Sequence, residues 1–327
     1  MEFTVDKLGD KVQEAYTRIK SHVWKTPLMY SLYLSTEGQA EVYLKLESEQ
    51  LTGSFKLRGA FNKLLTLNKK PDQLKRGITT ASSGNHGLAC IAACKACNVP
   101  LEVFVSEEVN PTKLQNMRHH GVKVTLHGHD CVDAEIMARQ TAAETGKLYI
   151  SPYNDVDVMA GNGTVGCEIH NDLPEVDYVF VSVGGGGFIG GIAAYLKKVN
   201  PKIQVIGCQP RNSKVMYESV KVGYIKHDES LATLSDGTSG DIEDGSITFE
   251  PCRRYVDDWI LVDEHQIADA IFLVLDKHHK VVEGSAAVAV AAFLSDKQRF
   301  RGSKVVLVMC GGNIATDTIR EILKTHT

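Results

Sequence analysis

The sequence lacks most of the features that would mark a specialised chain, and each absence removes a class of function. No run of like charge is long enough to serve as an interaction tail, and the formal net charge over 327 residues is only -4. Neither a nucleic-acid partner nor an electrostatic membrane surface is expected. No apolar stretch approaches the roughly 18 uninterrupted residues of a membrane span. Met1 to Val12 scatters Glu2, Asp6, Lys7, Asp10 and Lys11 among isolated apolar residues, so no signal peptide is expected. The eight cysteines lie in apolar runs and do not form a spaced disulfide framework. That distribution reads as free thiols in a reducing compartment, the cytoplasm. There is no tandem repeat and no low-complexity tract.

What is present is a hydrophobic content of 43% with 28 glycines, suited to one or two well-developed cores. Short apolar strands alternate with helical patterns. Strands are expected at 42–46, 77–81, 101–105, 122–126, 178–183, 203–208 and 304–309. Helices are expected at 56–67, 87–97, 110–120 and from about 188 to 198. Residues 234–251, rich in Gly, Ser, Asp and Glu, read as a long ordered loop. This order predicts an α/β fold of two open, mostly parallel sheets with helices on both faces.

Three segments share one design, in which a strand ends, glycines and small polar residues follow, and a helix begins. They are Ser82-Ser83-Gly84-Asn85-His86-Gly87, Gly184-Gly185-Gly186-Gly187 and Cys310-Gly311-Gly312-Asn313. Ligands of open α/β sheets collect at such places. Four glycines before a helix can turn their N–H groups inward as a nest for a phosphate. Gly185 to Gly190 also satisfies the G-x-G-x-x-G dinucleotide fingerprint. That reading needs an acidic residue about 20 positions on, where this chain has Cys208-Gln209-Pro210. Lys56, which opens a helix after Gly53-Ser54-Phe55, is either a solvated charge or an amine whose pKa is lowered for Schiff-base chemistry.

Ser54-Phe55-Lys56-Leu57-Arg58-Gly59 and the three loops, in this order, resemble the tryptophan synthase β-like (fold type II) pyridoxal-phosphate enzymes. The threonine/serine dehydratase and serine racemase branch is the most similar. The resemblance runs from Lys25-Thr26-Pro27-Leu28 to the carboxyl-terminal helix. It implies a large domain of residues 1–73 and 151–327, a small domain of residues 74–150, and an active site between them. It implies that Lys56 carries pyridoxal 5'-phosphate, that Phe55 packs on the cofactor ring and that Asn85 bonds its phenolic oxygen. Gly184, Gly185, Gly186 and Gly187 would hold the phosphate, and Cys310 would face the pyridine nitrogen. Ser82, Ser83, Asn85 and His86 would surround the carboxylate of a small amino-acid substrate. Lys56 would remove the α-proton, the β-hydroxyl would leave, and a 2-oxo acid and ammonia would result. The family also implies a homodimer or higher homo-oligomer.

The resemblance leaves two activities open. Ser83 is similar to the second-face acid/base of serine racemases. Against that, Gln209 and Val215 stand where those enzymes place acidic metal ligands, and Leu51 and Leu88 where they bind ATP. The expected activity is dehydration of a β-hydroxy L-amino acid such as L-serine or L-threonine, with no metal site. Racemisation is the alternative, and a non-catalytic cofactor-binding regulator is the alternative of another class. His119, His120, His127, His129, Asp130 and Cys131 lack zinc-site spacing and read as surface. Cys90, Cys94 and Cys97 read as the buried face of a helix. Glu283 lies in a segment that, in the family, passes the ring edge; helix capping is the other reading.

Overall fold

The computed structural model describes residues 4–67 and 71–326. Its strands are β1 (Leu28–Tyr30), β2 (Glu41–Leu46), β3 (Ile78–Ala81), β4 (Leu101–Val105), β5 (Lys123–Leu126), β6 (Leu148–Tyr149), β7 (Tyr178–Ser182), β8 (Gln204–Pro210), β9 (Asp258–Val262) and β10 (Lys304–Met309). They form a six-stranded sheet of order β1-β2-β10-β7-β8-β9 and a four-stranded sheet of order β5-β4-β3-β6. Every pairing is parallel except β1 on β2. The α/β class with two mostly parallel sheets is thus as the alternation of apolar runs predicts. Parallel strands are covered on both faces, which is why β10 reads Lys-Val-Val-Leu-Val-Met with five consecutive buried residues.

Both sheets reverse their winding direction at a defined point. From β7 the chain steps outward to β8 and β9, and β10 then returns to the other side of β7. From β3 it steps to β4 and β5, and β6 returns to the other side of β3. Such switch points leave a crevice beyond the carboxyl ends of the strands. The segments that follow β3, β7 and β10 are the three glycine-containing loops.

The helix Lys56–Leu67 is placed by two devices. Its apolar face, Leu57, Ala60, Phe61, Leu64 and Leu67, joins the core of the four-stranded sheet with Ile78, Cys90 and Val103. Its other side crosses the helix Val156–Asp172 at close range. A Cβ on Gly161 would lie 2.5 Å from the Arg58 carbonyl oxygen, so only glycine allows this approach. Beneath the crossing lies a fully buried ion cluster. Arg58 makes paired bonds to Glu47 (2.7 and 2.8 Å) and to Glu168 (2.7 and 3.0 Å). Lys45 of β2 donates to Glu168 at 2.5 Å and to the Thr26 carbonyl at 2.7 Å. Two cations meet two anions, and the planar guanidinium fork suits both carboxylates.

Candidate active site

Residues 53–56 are knitted to the loop after β10. The Phe55 N–H donates to the Cys310 carbonyl at 3.1 Å, and the Gly312 N–H to the Gly53 carbonyl at 2.9 Å. Gly53 has φ +72, the left-handed region that favours glycine, and the Asn313 side chain packs against it. Asn313 Nδ2 reaches on to Asn85 Oδ1 at 2.7 Å. The Asn85–Ala96 helix begins two residues earlier than the sequence pattern suggests, with Gly84 as its N-cap. Asn85 and His86 therefore lie in its first turn.

Lys56 points away from solvent, and its Nζ donates to the Pro152 carbonyl at 2.8 Å. The next residue, Tyr153, lies against the glycine loop. A Cβ on Gly185 would meet its ring at 2.5 Å, and one on Gly187 its carbonyl at 2.6 Å. Thr248 Oγ1 donates to the Gly185 carbonyl, and Cys252 Sγ bonds the Gly186 carbonyl. In a trans peptide the N–H points opposite the C=O. The N–H groups of Gly186 and Gly187 are consequently turned to the other side, at the start of the 13-residue helix Gly187–Val199. Phe55 stacks on Phe188, the rings 3.7 Å apart and 9° from parallel. Lys56 Nζ lies 5.2 Å from the Phe55 ring centroid.

Burial disfavours the charged form of the groups in this place. Burial lowers the Lys56 amine to about 8, against the opposing pull of Cys310, Cys90 and Glu283. Burial and then Lys56 hold His86 at about 3, so its ring is neutral. Burial pushes the Cys90 thiol up to about 12 and raises that of Cys310 well above its ordinary value. His86 turns its Nε2 to the Ile150 carbonyl at 3.2 Å, and its Nδ1 is buried without a protein partner. Ser82 and Ser83 line a neighbouring cavity of about 330 Å³ with Phe104, Lys113, Cys131 and Ala134.

Residues 19–311 match the family model described as "Pyridoxal-phosphate dependent enzyme". The chain belongs to that family. It is 39% identical over 314 residues to the L-threonine ammonia-lyase of Thermotoga maritima, covering 96% of this chain and 77% of that protein. It is 36% identical over 315 residues to the catabolic L-threonine dehydratase of Escherichia coli K12, covering 96% and 95%. Among solved structures, maize serine racemase superposes with a TM-score of 0.90 at 31% identity, covering 97% of each chain. Processed threonine deaminase isoform 2 of Solanum lycopersicum gives 0.92 at 28% identity, covering 98% and 94%.

The residues around Lys56 fit pyridoxal phosphate. The N–H groups of Gly186 and Gly187, turned away from Thr248 and Cys252, and the helix start suit a phosphate. The Cys310 thiol can face a pyridine nitrogen without protonating it. Ser54 Oγ and Ser182 Oγ are buried without a protein partner, which fits a site built for a polar ligand. Pro152 carried no sequence signal of its own, since it acts through its carbonyl, and Tyr153 acts as a packing surface. Gln209 is buried with both ends of its amide used, Nε2 on the Val183 carbonyl and Oε1 on the Tyr217 N–H. Among the described residues, no three His, Cys, Asp or Glu are grouped to hold a metal ion. Nor is any helix long and apolar enough to cross a membrane.

Proposed function

We propose that this family member is an ammonia-lyase that converts a β-hydroxy L-amino acid, such as L-serine or L-threonine, to a 2-oxo acid and ammonia. The observation that carries this reading is the amine of Lys56, which donates to the Pro152 carbonyl and is lowered to about 8 by burial against the pull of Cys310, Cys90 and Glu283. An amine in that range is available both for covalent attachment and as a general base near neutral pH. Pyridoxal phosphate supplies the electron sink at the substrate α-carbon. Phe55 and Asn85 would orient the cofactor ring, Gly184 to Gly187 would hold its phosphate, and Cys310 would face its nitrogen. Ser82, Ser83, the Asn85 side chain and His86 would receive the substrate carboxylate. Lys56 Nζ would take the α-proton, and the β-hydroxyl would take up a proton as its C–O bond breaks, so that the α-hydrogen and the hydroxyl are lost together as water.

The likeness to maize serine racemase favours a second reading in which Ser83 Oγ serves the opposite face. L-Serine, L-threonine, 3-hydroxyaspartate and phenylserine, each scored for 2-oxo acid, ammonia and chirality, separate the readings. Equal yields of 2-oxo acid and ammonia from an L-substrate support the lyase. D-isomer formation that Ser83→Ala abolishes supports the racemase. A protein that binds the cofactor but turns over none of the four supports a regulator.

Three further proposals accompany this one. The two sheets belong to two domains, residues 1–73 with 151–327 and residues 74–150, with the Lys56–Leu67 helix packed between them. The eight cysteines, all unpaired, suit the cytoplasm. The protein is a homodimer or higher homo-oligomer, which sedimentation of the wild type tests.

A further inference from the structure

Glu283 occupies the N-cap position of the helix Gly284–Ser295, yet its side chain makes no capping bond. The carboxylate turns to Asn85 instead, with Oε1 and Oε2 at 2.8 and 3.0 Å from Nδ2. The Asn313 N–H holds Oε2 at 3.2 Å. Asn313 Nδ2 donates to Asn85 Oδ1 and, at 2.9 Å, to the Thr52 carbonyl. Both ends of the Asn85 amide are thereby assigned, nitrogen to Glu283 and oxygen to Asn313. The space is cut to fit, since a Cβ on Gly311 would lie 2.5 Å from Oε1.

Glu283 is only 5% exposed, and both groups that bond it are neutral. A buried acid without a cationic partner costs stability, and a scaffold alone does not call for one. A glutamine could bridge Asn85 and Asn313 as well, but its amide could turn over and let Asn85 turn with it. A carboxylate has only acceptors, so it admits one orientation of Asn85.

We propose that Glu283 is a positioning residue of the active site, fixing which end of the Asn85 amide faces which neighbour and setting a negative charge in the cavity of Lys56. The inference rests on the reading above, in which Lys56 and Asn85 contact the cofactor. Around the carboxylate stand Lys56 from its helix, Cys310 after β10 and Asp236 from the turn Asp236–Thr238, while His86 and Cys90 face Lys56. His86, Cys90 and Cys310 are neutral, and Glu47 is neutralised by Arg58. Glu283 is therefore the buried anion that Lys56 faces, while Asp236 lies nearer solvent. Burial raises the carboxyl pKa and Asp236 adds to this, while Asn85, the Asn313 N–H and Lys56 oppose it.

The test uses the cofactor-loaded enzyme and its visible absorption band across pH. An anion near a protonated nitrogen raises its pKa, so Glu283→Gln should move the midpoint of the band's pH transition down by about one unit or more. In the same variant kcat should fall at least ~10-fold while KM changes less than ~3-fold, with no loss of melting temperature. Glu283→Asp keeps the charge and should keep the midpoint, which also serves if the Gln variant does not fold. A purely structural Glu283 would lower the melting temperature and leave the midpoint in place. An unmoved midpoint in Glu283→Gln, with the cofactor still reducible onto Lys56, overturns the proposal; so does an equal downward shift in Glu283→Asp. A wild-type enzyme whose cofactor is not on Lys56 overturns the underlying site reading instead, and the inference with it.

Discussion

Lys56 and Arg58 are two residues apart on the same helix, Arg58 fully buried and Lys56 partly so, and the protein treats them in opposite ways. Arg58 meets two carboxylates in paired geometry, within a cluster whose charges cancel. Burial alone would lower its pKa, but Glu47 and Glu168 outweigh burial and raise it further. Glu168 answers in kind: burial would raise it, yet Arg58 and Lys45 hold it low. Lys56 has no carboxylate at bonding distance. Its one hydrogen bond goes to the Pro152 carbonyl, and burial wins. A satisfied buried charge is a structural device, whereas a buried amine held short of partners is ready for chemistry.

The largest effect that would sharpen this contrast comes from breaking the paired cluster. Arg58→Met leaves Glu47 and Glu168 with only Lys45 between them. A loss of ~3–5 kcal/mol is expected in denaturant unfolding, as for other broken buried pairs. A loss under about 1 kcal/mol, within the range of exposed pairs, would break the contrast.

The opposite sign is expected at Lys56. In the folded, cofactor-free chain the amine titrates at about 8, and in the unfolded chain near ~10.4. Between those values the unfolded chain holds more protons, so the stability contributed by this group rises with pH. Its penalty is full below pH about 8 and gone above ~10.4. Lys56→Met should therefore be more stable than the cofactor-free wild type at pH 7. The gain is roughly 3 kcal/mol from the pKa shift, less about 1 kcal/mol for the bond to Pro152. Melting curves at pH 7 and pH 10 should show that advantage disappearing. An advantage that grows with pH would contradict it.

A smaller effect is expected at Cys310. Its thiol is held neutral by burial, and serine is a neutral group of similar size. Cys310→Ser should leave cofactor binding intact and change kcat by less than the ~10²-fold that marks loss of a general acid or base. An inactive variant that still binds cofactor would show that the sulfur does more than face the ring.

Much of this was legible in the sequence, and the limits have physical causes. The expected ranges at 56–67, 101–105 and 304–309 coincide with the observed elements, because each is a buried run bounded by turn residues. The three ligand loops were visible because glycine requirements are local. β1, with three residues, and β6, with two, offer too little periodicity to read. The helix at 87–97 begins instead at Asn85, since Gly84 as N-cap gives no side-chain signal. The cluster of Lys45, Glu47, Arg58 and Glu168 could not be read, because its members come from four elements and only the fold joins them. For the same reason Glu283 could be placed near the site by resemblance, but its grip on Asn85 could not be foreseen.

The central claim is that Lys56, rather than any other lysine, is the residue kept short of partners so that it can bond the cofactor. Borohydride reduction of the pyridoxal-phosphate-loaded protein, followed by peptide mapping, tests it most directly. The account predicts a single pyridoxyl label on Lys56 in the peptide that contains Ser54 and Phe55. A label on another lysine, or a loaded protein that takes up none, would contradict it.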